Sequence, residues 1–145
     1  MNRHKIKKVL ELKGFTKEQL EVLFQKSKDA LEVENVKLDF TVKTFERTAV
    51  EFNRRQKEGL INSQDLDFFY NYFSYLSKQI DQQKQTVSLL LSEVEQIQKT
   101  LVKTYKEKRL LEIFYDKILH EEIRNKLKGE QKEADFQFIS RKSRR

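Results

Sequence analysis

Residues 66–101 read LDFFYNYFSYLSKQIDQQKQTVSLLLSEVEQIQKTL, and the fold turns on how that stretch is spaced. Within it Leu66, Phe73, Ile80, Val87, Val94 and Leu101 return at every seventh position. A second row holds Phe69, Leu76, Gln83, Leu90 and Ile97, and runs on through Thr104, Leu111 and Ile118. Two rows at heptad spacing mark the seam of a coiled coil. Sustained this far, they predict a helix of about 60 residues, roughly 90–100 Å long at its usual rise. A globular core of this size cannot hide such a helix. It needs a partner stripe.

The chain supplies one upstream. Phe24, Leu31, Leu38, Phe45 and Phe52 also recur at sevens, beside a more polar row of Leu20, Ser27, Glu34, Thr41 and Thr48. Between the two stripes lies Gly59-Leu60-Ile61-Asn62-Ser63. Gly59 suits the left-handed position that closes a helix, and Asn62 or Ser63 can cap the next. So short a loop makes the helices antiparallel neighbours. Partner numbers then sum to about 121 in the seam register. Phe52 faces Phe69, Phe45 faces Leu76, Leu31 faces Leu90 and Phe24 faces Ile97. Leu38 faces Gln83, a polar intrusion that fixes register at some cost in stability.

The expected fold is all-α, a long two-helix antiparallel coiled-coil hairpin forming a single domain over 1–145. Helix 1 is expected at about 3–58, the turn at 59–63 and helix 2 at about 64–128, before a basic, frayed tail at 129–145. Thr16-Lys17-Glu18-Gln19 has capping-box spacing, with Phe15 and Leu20 as its hydrophobic staple, which argues for a helix start at Thr16. Ile6 and Leu10 nevertheless keep phase with Leu20 and Phe24, so continuity with a kink near 14–16 is expected.

Composition agrees. The 145 residues contain three Gly, no Pro, no Cys and no Trp, which leaves few places for a sheet protein to turn. Eleven Phe and five Tyr separate the chain from a disordered polyampholyte. Without cysteine there is neither a disulfide scaffold nor a thiolate metal site. No apolar run approaches the roughly 18 residues of a membrane span, and no signal peptide is read at the start.

Charge is unevenly placed. Met1 to Gly14 carries five Lys/Arg against one acid, and Arg124 to Arg145 carries eight against three. The overall charge is +7, so the middle is slightly acidic. A hairpin brings both basic ends to one pole. The tail Arg141-Lys142-Ser143-Arg144-Arg145 reads either as a solubilising terminus or as part of a tip seeking an acidic or phosphate-rich partner.

Catalytic constellations are not found. The two histidines, His4 and His120, stand apart, and there is no glycine-rich phosphate loop. His120-Glu121-Glu122 resembles a metal fragment, but the second histidine such a helix needs one turn on is replaced by Arg124. No catalytic residue, metal ligand, cofactor or small-molecule substrate is expected. Six aromatics, Phe68, Phe69, Tyr70, Tyr72, Phe73 and Tyr75, crowd eight positions. Phe69 and Phe73 serve the seam. Phe68 and Tyr70 can flank it, whereas Tyr72 and Tyr75 should point partly outward, as flank packing or as a docking patch.

The run Tyr105-Lys106-Glu107-Lys108-Arg109-Leu110-Leu111-Glu112, then Glu130-Gln131-Lys132 and Asp135 before a basic tail, resembles the FliJ family, the stalk components of flagellar type III export. Phe69 through Leu76, Ile80 and Gln82-Gln83 is similar to that family's second-helix aromatic run. The pattern departs at Phe136, where a second acid is usual, and at Thr48, where an aromatic is common. The resemblance implies a cytoplasmic protein peripherally associated with the membrane-embedded export apparatus. Its partners would be the hexameric export ATPase, the cytoplasmic region of the export-gate membrane protein, and export chaperones. Ring binding would fall on Arg3, Lys7, Lys8, Arg109, Lys126 and Lys132. Gate binding would fall on Phe45, Phe52, Tyr72, Leu76, Gln79 and Gln83. The alternatives are a basic coiled coil associated with nucleic acid, for which no reading motif is present, and a structural dimer paired through Leu119, Ile123 and Leu127.

Overall fold

The computed structural model describes residues Asn2–Ser143; Met1 and the expected tail residues Arg144 and Arg145 lie outside the described part. Two helices account for it, α1 over Arg3–Lys57 and α2 over Ser63–Ser143. They pack against each other as an antiparallel hairpin, with no strand among the described residues. The turn between them is built from its own residues. Gly59 takes φ 69°, its amide donates to the Gln56 carbonyl at 3.3 Å, and the Leu60 amide donates to the Arg55 carbonyl at 2.9 Å. These two bonds form a Schellman closure, which needs the left-handed glycine. Asn62 then caps α2, its Oδ1 accepting from the Asp65 amide at 2.8 Å.

The hairpin divides into two compact units, Leu20–Lys99 and the segments Met1–Gln19 with Thr100–Arg145. In the first, rings hold the helices together. Phe52 meets Phe69 and Phe45 meets Phe73, each edge to face at 5.2 Å, and Phe52 also meets Phe73 at 5.9 Å. Edge-to-face geometry puts a ring's positive rim on its neighbour's negative face. Leu76, Val94 and Ile97 are buried below them. The polar row of α1 is accommodated locally. Thr41 and Thr48 donate to the carbonyls of Lys37 and Thr44 one turn back, at 3.0 and 2.7 Å.

The second unit is held differently. Ile6 is the most deeply buried side chain described, and Leu101 and Thr104 are buried in the same unit. Arg3 pairs with Glu122 at 3.0 Å, and Lys13 donates to Glu107. The Lys17 ammonium lies 5.1 Å from the centre of the Tyr105 ring. In both units the observed cross-helix pairs fall within one helical turn of the expected register.

Helix α1 runs unbroken through Gly14–Thr16, the continuity expected from heptad rows that hold their phase across the local capping signal. Two details differ from expectation. Helix α2 passes Gly129 and continues to Ser143, where the sequence suggested an end at 128; an interior glycine costs a helix only about 1 kcal/mol. Leu66, expected to begin the seam, is 50% exposed. Near this end of the seam the Arg55 guanidinium lies 5.7 Å from the centre of the Phe69 ring.

Candidate functional site

The residues expected at the gate-binding surface lie on or beside the aromatic seam of Leu20–Lys99. Phe45 and Phe52 are half-buried by the ring contacts described above. Leu76 is 5% exposed and given over to the seam. Gln83 also faces inward, and its Oε1 is buried with no hydrogen-bond partner among the described residues. Tyr72 and Gln79 remain half-exposed on the flank. Of the six, therefore, Tyr72, Gln79 and the outer edges of Phe45 and Phe52 are what the folded hairpin presents. Phe45 also lines a shallow groove with Tyr70, Phe73, Ser74, Ser77 and Lys78.

Phe68 and Tyr75, outside that expected set, join Tyr72 in a ladder. The Phe68 and Tyr72 rings are stacked at 6.0 Å and 6°, and Tyr72 and Tyr75 at 6.4 Å and 22°. The spacing of four and then three residues puts all three rings on one helix face. Phe68 and Tyr70, which the sequence allowed to flank the seam, are 66% and 75% exposed, and Tyr70 edges the groove beside Phe45 and Phe73. The crowding of aromatics was visible in the sequence; the stacking was not, because it depends on rotamers.

Beside this patch, charges close the end of α1. Glu51 accepts from Arg54 at 2.6 Å and from Arg55 at 2.9 Å, and Arg54 also reaches Glu58 at 2.9 Å. The hydrogen bonds from Arg54, then from Arg55, pull the Glu51 carboxyl down to about 2. Basic residues in the last turn are favourably placed against the helix dipole.

The expected ring-binding residues all belong to the unit containing both ends of the chain. By sequence it holds nineteen Lys/Arg against ten acids, whereas Leu20–Lys99 holds eleven against thirteen. Lys7, Lys8, Lys126 and Lys132 are exposed. Arg3 is engaged by Glu122, and Arg109 lies 3.4 Å from Glu112. The Lys13 hydrogen bond holds the Glu107 carboxyl below its ordinary value, reinforced by the charges of Lys13 and Lys103. From His120 to Ile139 every residue of α2 is exposed, including Ile123, Leu127, Phe136 and Phe138. Beyond Glu122, which Arg3 engages, no cross-helix contact to this segment is seen among the described residues.

No helix among the described residues is long and apolar enough to cross a membrane. Neither the curated proteins nor the solved structures provide a match to the chain. The family described as "Flagellar FliJ protein" does match, over residues 2–143 and so across both helices and both units. With a paired-helix fold and a match that spans nearly all of it, the chain belongs to the FliJ family and has a role related to flagellar export.

Proposed function

We propose that the protein is a cytoplasmic stalk component of flagellar type III export, acting without catalysis of its own. Its terminal unit inserts into the hexameric export ATPase, and its aromatic flank contacts the cytoplasmic region of the export gate. Empty export chaperones are handed on through the same assembly. The observation that carries the reading is the segregation of charge and exposed helix into one unit. A basic surface orients against acidic loops and speeds encounter more than it tightens the final complex.

The uncovered end of α2 fits this role. Most helical stability comes from packing of one face, which this segment lacks within the chain, and the glycine inside it weakens the helix further. Inside a ring, Ile123, Leu127, Phe136 and Phe138 gain the cover the chain does not give them. Lys126 and Lys132 lie on this segment, with Lys7, Lys8 and Arg3 on α1 of the same unit. Asymmetric insertion biases the ring subunits toward successive nucleotide states. On the flank, Tyr72, Gln79 and the edges of Phe45 and Phe52 form the gate contact, while Leu76 and Gln83 support it from within the seam.

The test is ATP hydrolysis by the cognate hexamer, with and without the full chain. Hydrolysis rises with added protein, and replacing Lys7, Lys8, Lys126 and Lys132 with Gln reduces that rise. No change at saturating protein contradicts the proposal. The same uncovered segment supports a second reading, pairing with another copy through Leu119, Ile123 and Leu127. Mass measured across a concentration series separates the two: the stalk reading expects a monomer throughout, the structural reading a dimer that grows with concentration.

A further inference from the structure

The stacked rings of Phe68, Tyr72 and Tyr75 form a surface whose chemistry selects its occupant. Along that helix face the residues are Asp65, Phe68, Tyr72, Tyr75, Gln79 and Gln82, with no Lys or Arg among them; the nearest cation on α2, Lys78, lines the neighbouring groove with Tyr70 and Phe73. Phe68 is 66% exposed and Tyr75 57%. Aromatic faces carry negative potential and attract cations, most readily the flat guanidinium of arginine. Elsewhere this chain meets that preference internally, with Lys17 over Tyr105, Lys28 over Phe24 and Arg55 over Phe69. The three ladder rings have no such cation among the described residues. The arginines near the end of α1 are already committed: Arg54 bonds Glu51 and Glu58, while Arg55 bonds Glu51 and lies over Phe69. Asp65 heads the face and Asp67 stands next to it, adding negative charge where a cationic partner would enter.

We propose that the Phe68–Tyr72–Tyr75 ladder is a docking surface for an arginine-bearing segment of a partner protein. Its guanidinium groups lie on the ring faces that the stacking leaves open, and its leading charge sits near Asp65. The inference deepens the gate contact proposed above and rests on that reading, because it shares Tyr72 and Gln79 with it and adds the chemistry of the segment received there. It makes Phe68 and Tyr75 binding residues alongside Tyr72.

The test uses the full chain with carbon-13-labelled Phe and Tyr rings. The probe is a short helical peptide with arginines along one face, compared with a twin carrying neutral citrulline at the same positions. The ring signals of Phe68, Tyr72 and Tyr75 are expected to shift with the arginine peptide, at about tenfold lower concentration than with its twin. Phe136 and Phe138, comparably exposed, report non-specific contact and are expected to respond less. Phe68→Leu combined with Tyr75→Leu keeps the acids and removes two rings, and is expected to bring the arginine peptide down to its twin's level. Equal responses to the two peptides overturn the proposal, as do equal shifts at Phe136 and Phe138 or no shift at the ladder. If the double variant fails to fold, the two-peptide comparison on the unaltered chain still decides.

Discussion

Between Leu20 and Lys99 the helices meet through rings, with Phe45, Phe52, Phe69 and Phe73 set edge to face. In the unit that holds both ends no such ring pair is seen among the described residues, and beside buried Ile6 and Leu101 the helices are joined by ion pairs, Arg3 to Glu122 and Lys13 to Glu107. Both seams follow the same heptad rows. What differs is which side chains occupy them, since Lys13 and Lys17 sit where the other unit places Leu20 and Phe24. Pairing register is thus independent of the chemistry that holds it, but strength and salt response are not. A seam of rings excludes water, while a seam of exposed ions is screened by it.

The largest expected effect tests the ring seam. Phe69→Ala removes a buried ring that touches Phe52, Phe68 and Phe73, and should cost about 3–5 kcal/mol, read from the midpoint of urea unfolding. A loss below about 1 kcal/mol would mean that the rings fill space without anchoring the helices. Gln83→Leu goes the other way. Replacing a buried amide whose oxygen lacks a partner should raise stability by about 1–3 kcal/mol, measured by the same unfolding.

A smaller effect separates the two seams by salt. A double-mutant cycle on Lys13 and Glu107 should show favourable coupling at low ionic strength that fades at about 1 M salt, where screening reaches about 3 Å. The equivalent cycle on Phe52 and Phe69 should keep its coupling. Loss of both on adding salt would erase the contrast. Smallest is a local effect of pH. The Glu51 carboxyl is lowered to about 2 from an ordinary 4.5, chiefly by Arg54. A lowered carboxylate pKa contributes stability above the unfolded value, and that contribution is lost as pH falls from about 4.5 toward 2. Carbonyl NMR should show Glu51 titrating near 2, and Arg54→Gln should return it toward 4.5.

Most of the fold was legible because the heptad period does not depend on rotamers. The heptad-row residues from Phe24 to Phe52 and from Phe69 to Ile118 are all shielded at least in part, and Gly59 and Asn62 act in the turn as their chemistry suggested. Local signals were less dependable where a longer pattern opposed them. The capping box at Thr16 lost to phase continuity, and Gly129 did not end α2. Leu66 keeps the heptad spacing yet is 50% exposed at the turn end of α2, so spacing alone did not mark where the seam begins. Of the site, the family resemblance indicated which residues to inspect. Only coordinates separated Tyr72 and Gln79 on the flank from Leu76 in the seam, and revealed Phe68 and Tyr75 stacked on Tyr72.

The most direct check on the pairing itself is a disulfide between the two helices. Leu31→Cys combined with Leu90→Cys, oxidised mildly in dilute solution, should close a loop within one chain, seen as a monomer of altered mobility that reverts on reduction. Crosslinks formed only between separate chains would contradict the antiparallel hairpin, and with it the placing of both basic ends in one unit.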